Sequence, residues 1–154
     1  MVTSRVLSMS TVLPLLLAAS GWCGEDRPLR LEHSKAVFGV VFAPDGRTLY
    51  SASDDHLLRA WDVRTGRELR RFRGHTGGVL AVALTADGKT LASAGRDGMV
   101  RLWEARTGRL THALTGPRGD VEALALSADG SRLAASGSGR SGEFRTPFDG
   151  KAFR

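Results

Sequence analysis

The sequence predicts an all-β protein built from repeated four-stranded antiparallel sheets. The first observation is a repeat: Asp-Gly pairs begin at residues 45, 87 and 129, so the interval is 42 residues in both steps. The second is that short runs of β-branched and aromatic residues alternate with turn-forming residues. The third is that the repeat lacks the periodicity of about 3.6 residues that indicates an amphipathic helix. Such a repeat interval is typical of solenoids and propellers.

Each complete unit contains four predicted strands. In the first unit these are residues 36–43, 48–53, 57–61 and 67–72. The turn after the first strand is Pro44-Asp45-Gly46, in which proline restricts φ and glycine adopts conformations that most residues resist. Consecutive strands joined by tight turns form an antiparallel meander. Residues 33–74 are therefore expected to form one small sheet, and residues 75–116, which align with them without a gap, a second.

The predicted sheets are apolar on both faces, as the adjacent pairs Val40-Val41 and Leu57-Leu58 indicate. A small sheet with two apolar faces needs a neighbour on each side. Radial repetition of four-stranded sheets meets this need and is the β-propeller, a ring of about four to eight such blades. Two complete units and part of a third cannot close that ring. We therefore expect an incomplete propeller arc whose open blade faces favour self-association.

Further marks in each unit resemble those of the WD40 (WD-repeat) family. Gly74-His75 stands at the start of a unit, and Trp61-Asp62 ends the third predicted strand, with Trp103-Glu104 as a conservative variant. The sequences PDGRTL and ADGKTL lie between the first two strands of the two units. The resemblance covers residues 33–116 well and 120–136 in part. It implies a β-propeller but says little about function, because propellers carry many roles.

The resemblance also implies a buried hydrogen-bond network in each complete unit. In the family, a histidine, a hydroxyl of the second strand, an aspartate of the next turn and the tryptophan of the third strand share these bonds. Mutual pairing makes physical sense because buried polar groups without partners are costly. Carried over to this sequence, the members are His33, Ser51, Asp55 and Trp61 in the first unit and His75, Ser93, Asp97 and Trp103 in the second.

The third unit loses all four network positions together. One interval further on, the sequence has Pro117, Ala135, Gly139 and Arg145. Strand-like runs remain at 121–126 and 133–136, so half a blade is expected, followed by a flexible basic tail without further strands. The expected organisation is a signal peptide at 1–21, a linker or outer strand at 22–32, repeats at 33–74 and 75–116, a degenerate half repeat at 117–137 and the tail at 138–154.

The sequence offers no convincing catalytic or metal-binding residues. His33, His56 and His75 are the alternative candidates for metal ligands or acid–base groups, but His56 aligns with Gly98 in the second unit. No His-x-x-x-His or Cys-rich spacing is present. A G-x-S-x-G nucleophile motif is also missing. We therefore expect a protein that is not an enzyme and that holds no metal and no cofactor.

The favoured function is a non-enzymatic protein-binding scaffold that forms part of a larger propeller. In the WD40 family, partners commonly lie across the loops at one rim of the ring. The corresponding positions here are Lys35, Asp54, His56, Thr76 and Arg96, each of which can equally be a solvated turn residue. Two alternatives stay open: a truncated, functionally inert remnant, and an accessory propeller of a larger enzyme complex.

The chain is basic, with a formal net charge of +6 at pH 7. Such charge attracts nucleic acid and anionic surfaces. However, the arginines are spread over repeat-equivalent positions such as Arg64 and Arg106, without a run of like charges or interleaved aromatic residues. They are therefore expected at solvated strand edges and turns, and no nucleic-acid partner is expected.

The first residues have the composition of a secretory signal peptide, with Arg5, an apolar run at 12–19 and small residues at 20 and 21. The run is short for a membrane span. We therefore expect export to the periplasm, the cell envelope or the medium, and no membrane span in the mature chain. A lipid anchor at Cys23 is not expected, because Trp22 and not a small residue precedes it.

Overall fold

The computed structural model describes residues 15–17, 29–115, 119–138 and 142–145. These residues are all-β, and none of them forms a helix long and apolar enough to cross a membrane. The strands are β1 (Leu15–Leu17), β2 (Leu29–Leu31), β3 (Val37–Phe42), β4 (Thr48–Ser53), β5 (Leu58–Asp62), β6 (Glu68–Phe72), β7 (Val79–Leu84), β8 (Thr90–Gly95), β9 (Met99–Glu104), β10 (Leu110–Thr115), β11 (Val121–Leu126), β12 (Arg132–Gly137) and β13 (Gly142–Arg145).

The first sheet contains β3, β4, β5 and β6 in sequence order, and all neighbouring strands are antiparallel. Its first turn closes because the Asp45 carboxylate accepts a hydrogen bond from the Arg47 amide (2.8 Å), while Gly46 adopts a φ of 66°. A side chain would strain that left-handed backbone. The predicted meander is confirmed, and the observed strand boundaries lie within one residue of the predicted ones.

The second sheet repeats this arrangement with β7, β8, β9 and β10. Its first turn again has an aspartate that accepts from the backbone, since Asp87 binds the Lys89 amide at 3.0 Å. The register is also the same, because Val79 pairs with Gly95 as Val37 pairs with Ser53. The sequence interval of 42 residues is therefore also the structural repeat.

The third sheet contains β11, β12 and β13. The sequence predicts no strand beyond residue 137, whereas β13 lies in that region and pairs with β12 from Arg132↔Arg145 to Ala135↔Gly142. This pairing uses backbone N–H and C=O groups along an open sheet edge, which need no apolar side-chain pattern. The composition of the segment therefore does not reveal the strand.

The three sheets stack face to face, with the second between the other two. Tyr50, Leu58 and Phe72 of the first sheet pack with Leu91 and Trp103 of the second, and the Phe72 and Trp103 rings meet edge to face at 5.7 Å. Another buried apolar cluster joins the second and third sheets. Stacking thus buries both apolar faces of the second sheet and one face of each outer sheet. Within the described residues the sheets form an arc and not a closed ring, as predicted.

A two-stranded sheet of β1 and β2 lies beside the first sheet. Leu31 of β2 packs against Leu49 and Trp61. Leu91 and Trp103, which stand 42 residues after Leu49 and Trp61, face the first sheet. Leu49 and Trp61 therefore face away from the second sheet, and β2 lies on that side of the first sheet. Most of the predicted signal peptide lies outside the described residues, as does Cys23.

Candidate functional site

The side chains of the first predicted network meet around Ser51, in the middle of β4. The Trp61 indole N–H donates to the Ser51 hydroxyl (Nε1–Oγ 2.7 Å), and His33 Nε2 lies 2.6 Å from the same oxygen. The other ring nitrogen of His33, Nδ1, lies 3.2 Å from Asp55 Oδ2. A neutral imidazole that donates to Asp55 and accepts from Ser51 pairs all of these groups.

The second sheet repeats the arrangement around Ser93 of β8. The Trp103 indole N–H donates to the Ser93 hydroxyl at 2.8 Å, and His75 Nε2 lies 2.8 Å from that oxygen. His75 Nδ1 lies 3.0 Å from a carboxylate oxygen of Asp97. The structure therefore brings the same four residue types together in both complete sheets.

Each network contains a fifth member, an arginine of the third strand. Arg59 and Arg101 donate from Nη1 to Asp55 and Asp97, both at 2.6 Å, and both guanidinium groups also contact the histidine of their network. They are only 7% and 9% exposed. The expectation that the arginines lie at solvated edges is wrong for these two. A signal was present, because each arginine stands two residues before the tryptophan in both units.

Burial and charge set the protonation states of both networks. Burial is the largest cause that lowers the pKa of His33 and of His75, because an imidazolium would lose its hydration. Burial raises the pKa of Asp55. The hydrogen bond from Arg59 and the charges around the carboxylate outweigh this effect and bring the pKa to about 2. Burial likewise raises the pKa of Asp97, but hydrogen bonds from His75 and Arg101 outweigh it and keep this pKa below the usual value. Neutral histidine, carboxylate and guanidinium are therefore the favoured states.

The two aspartates also fix the loops at one edge of the sheets. Asp55 accepts hydrogen bonds from the backbone N–H groups of Ser34 (3.3 Å) and Leu57 (3.2 Å). Asp97 accepts from the N–H of Thr76 at 3.1 Å. The buried network and the exposed loop above it are therefore one connected unit in each sheet.

The predicted rim residues all lie at this edge; they are Lys35, Asp54, His56, Thr76 and Arg96, called the rim below. The loops before β3 and after β4 meet there, because the Asp54 N–H donates to the Ala36 carbonyl (2.9 Å). In the second sheet the Arg96 N–H donates to the Gly78 carbonyl in the same way (2.9 Å). The two loops are linked by an ion pair with 3.5 Å between Arg96 Nη1 and Asp54 Oδ1.

His56 has an unusual backbone within the rim. Its φ is 69°, and among the described residues it is the one non-glycine residue with positive φ. Gly98, its equivalent in the second sheet, has the same φ of 69°. A left-handed backbone is unfavourable for a residue with a Cβ, and such strain is frequent at functional positions.

Phe38 is a rim neighbour that the sequence did not single out. It sits at a β-bulge, because the pairing of β3 with β4 shifts register between Val37 and Gly39. The bulge leaves the ring 49% exposed, with the Arg96 guanidinium 5.7 Å from its centroid. Bulges often redirect a side chain in this way. The sequence does distinguish this position, because the first unit has an aromatic residue where the other units have Leu80 and Glu122.

The third sheet has no comparable network in its described residues. Ala135 takes the place of the serine and is buried. Pro117 and Gly139 lie outside the described residues, and Arg145 is at the end of β13.

The three candidate metal ligands do not form a metal site in the described part of the chain, although His56 is near enough to His75 to reinforce the effect of burial in lowering the pKa of His75. His33 and His75 belong to separate networks, and His56 lies in a turn. Among the described residues no group of three or more His, Cys, Asp or Glu side chains has an arrangement that could hold a metal ion.

Comparison with known proteins decides the family. The sequence profile of WD40, described as WD domain, G-beta repeat, matches residues 26–62, 66–104 and 108–142, more than half of the sequence. The chain belongs to the WD40 family. Its sheets are accordingly blades of a WD40 β-propeller, and the resemblance inferred from the sequence is confirmed.

Two solved WD40 structures agree with this family. The structure of U3-55K and the crystal structure of the RRP9 WD40 repeats each superpose with a TM-score of 0.66 and 32% sequence identity over 71% of this chain. This WD40 chain covers 35% of the first structure and 34% of the second. It therefore spans about a third of the solved relatives.

Curated relatives match over shorter segments. The ribosome biogenesis protein WDR12 homolog of Oryza sativa subsp. japonica is 50% identical over 38 residues, which are 25% of this chain and 8% of the relative. The Notchless protein homolog of Arabidopsis thaliana is 44% identical over 45 residues, 29% of this chain and 10% of the relative. These matches support a WD40-repeat scaffold.

The predicted export is wrong. The rice relative is named for ribosome biogenesis, a process that takes place inside the cell. The physical reason for the error lies in the apolar run at 12–19, which contains β1. This strand pairs with β2 from Leu15↔Leu31 to Leu17↔Leu29. Apolar residues that serve a strand can thus imitate the apolar centre of a signal peptide.

Proposed function

We propose that this WD40 chain is a non-enzymatic scaffold that binds a protein partner at the rim. The observation that carries the proposal is the contact between Phe38, Arg96 and Asp54, which joins the loops of two sheets. Aromatic residues and arginine are both enriched at protein interfaces.

The buried networks support this role because they hold the rim in place. Asp55 and Asp97 accept hydrogen bonds from loop amides and are themselves fixed by Arg59 and Arg101. A surface whose backbone is already ordered loses less conformational entropy on binding than a flexible one. The polar interior therefore serves binding without contacting the partner.

The backbone of His56 is a second supporting feature. Glycine occupies the equivalent turn of the second sheet without strain, yet the first sheet carries a histidine at the same φ. An unfavourable conformation that is kept at an exposed loop is consistent with a role for the side chain in recognition.

Photo-crosslinking tests where the partner binds. A photoreactive residue at Thr76 should capture a protein, whereas one at Thr65, which is exposed in the turn between β5 and β6 at the opposite edge, should not. The captured protein is then identified by mass spectrometry. Equal capture from both positions would contradict binding at the rim.

The affinity for that protein is then compared between two charge reversals. Lys35→Glu at the rim should weaken binding by about tenfold, because one central charge contact is replaced by a repulsive one. Arg64→Glu makes the same change in charge at the opposite edge and should have little effect. Equal losses in the two variants would indicate nonspecific attraction to a basic protein and would overturn the proposal.

A further inference from the structure

We propose that the first sheet of one chain docks head-to-tail onto the third sheet of a second copy, through Val40 and Phe42 of one copy and the face around Ala123 of the other. The proposal concerns the flat faces of the sheets and is independent of partner binding at the rim. It follows from how the described sheets already pack on one another.

Inside the molecule, each sheet inserts inner-strand side chains into the preceding sheet. Val82 and Leu84 of β7 pack in the core between the first and second sheets. The first and second sheets approach each other closely at Gly39 of β3, where an added methyl group would lie 3.3 Å from Val82 Cγ1. Leu124 and Leu126 of β11 pack in the same way against the second sheet.

The first sheet carries the same inserting residues, and in the described part of the chain they stay exposed. One interval before Val82 and Leu84 stand Val40 and Phe42, which are 44% and 46% exposed. Within the described residues only the outer part of this face is covered, where Leu31 packs against Trp61. The uncovered residues at the inserting positions therefore lie on the inner strand, β3.

The third sheet carries the matching receiving face, also uncovered. In the first two sheets this face is formed by small or flat buried residues, including Ala52, Ala92 and Ala94. Their equivalents in the third sheet, Ala134 and Ser136, are exposed, as is Ala123, which corresponds to Gly39. Continuing the pattern of Val82 on Gly39, Val40 of one copy would lie on Ala123 of the second copy.

The strand count also fits a second copy. In the described part of the chain the third sheet has three strands, one fewer than the first and second sheets. Leu31 of β2 lies against Leu49 and Trp61 much as Phe72 of β6 lies against Leu91 and Trp103. Strand β2 thus stands close to the place of the fourth, outer strand of a preceding sheet. A three-stranded sheet from the second copy leaves that outer place free.

The geometry of the contact is heterologous, because two different faces of the same chain meet. Such contacts close into a ring when the rotation between copies permits. With three described blades in each chain, two copies would contribute six blades, inside the range of about four to eight that propeller rings contain. A second copy is therefore the occupant that matches both uncovered faces at once.

The oligomeric state of the full chain tests the proposal first. Light scattering during size exclusion should show a dimer for the unchanged chain and monomers for Val40→Glu and for Ala123→Glu, since either change places a charge in an apolar contact. Leu110→Glu, at an exposed position of β10 in the second sheet, should remain dimeric. Circular dichroism confirms that each variant is folded. A monomeric unchanged chain, or a dimer that survives Val40→Glu or Ala123→Glu, would overturn the proposal.

Disulfide trapping tests the pairing of the two faces. The single cysteine is first replaced (Cys23→Ser). A mixture of the Val40→Cys and Ala123→Cys chains should then form a disulfide between unlike chains, because at the equivalent internal contact a Cβ on Gly39 would lie 3.3 Å from Val82 Cγ1. A mixture of Leu69→Cys and Ala123→Cys chains is the control. Linkage only between two Val40→Cys chains would show a face-to-face dimer and refute head-to-tail docking.

Discussion

The second and third sheets share strand order and turns but differ in their interior chemistry. In the second sheet, the Ser93 hydroxyl binds both His75 and Trp103. In the third, Ala135 holds the equivalent place and is buried without any polar group to satisfy. The two solutions are alternatives: a complete polar network or an apolar site. A partial network would leave buried groups unpaired, which is costly.

The difference also reaches the surface. The rim residues belong to the first and second sheets, whose aspartates hold the loops from below. In the third sheet the position of Asp97 falls on Gly139, outside the described residues. The presence of an internal network therefore coincides with the sheets in which we place partner binding.

The largest effect is expected for Trp103→Ala. The indole is fully buried, packs on Phe72 and donates to Ser93, so its removal leaves a cavity and an unpaired network. The free energy of unfolding should fall by about 3–5 kcal/mol. Leu110→Ala, at an exposed position of the same sheet, should cost less than about 0.5 kcal/mol. Urea denaturation measures both, and similar losses would show that the network residue has no special weight.

A smaller effect is expected when the two solutions are exchanged. Ser93→Ala removes the shared hydroxyl and leaves the His75 and Trp103 nitrogens unpaired, at a cost of about 1–3 kcal/mol. Ala135→Ser places a hydroxyl where the third sheet has neither a histidine nor a tryptophan, at a cost of about 1–2 kcal/mol. Both changes should lower the urea midpoint. A gain in stability from either variant would mean that the polar network and the apolar site are interchangeable between the two sheets.

The smallest effect is a dependence of stability on pH near neutrality that comes from the buried histidines of the two networks. The folded-state pKa of His33 and of His75 is lowered, so the unfolded chain binds more protons as pH falls through the usual histidine range. Stability should therefore decrease between about pH 7 and about pH 5. Asp55, with a pKa of about 2, adds a further loss only at lower pH, between its unfolded value of 3.8 and that value.

Urea midpoints across this range measure the slope. The His75→Gln variant should show a flatter dependence than the unchanged chain, because one of the two titrating imidazoles is gone. A midpoint that stays constant from neutral to mildly acidic pH would contradict the assignment of neutral, buried histidines.

Much of the fold could be predicted because the repeat preserves local signals. Each Asp-Gly turn and each apolar strand recurs at a fixed interval, so β3 to β12 are found nearly in place. The histidine, serine, aspartate and tryptophan positions could be carried over from the family resemblance, since their spacing is also fixed.

The missed features depend on tertiary contacts. Arg59 and Arg101 look like ordinary surface arginines until the strands place them against the aspartates. Strand β13 is set by the open edge of β12, and β1 by its pairing with β2, although the sequence of β1 resembles an export signal. Long-range pairing of short segments leaves little trace in composition.

The middle position of the second sheet has a consequence for how the molecule opens. Every sheet is assembled from strands consecutive along the chain, and among the described sheets the second alone has a sheet of three or more strands on each face. Linear arrays of this kind behave as coupled neighbours, whose ends fray before the interior. Thermal fluctuations should thus peel the outer units away first, and the most persistent element should be the second sheet, one of the two that carry a complete polar network.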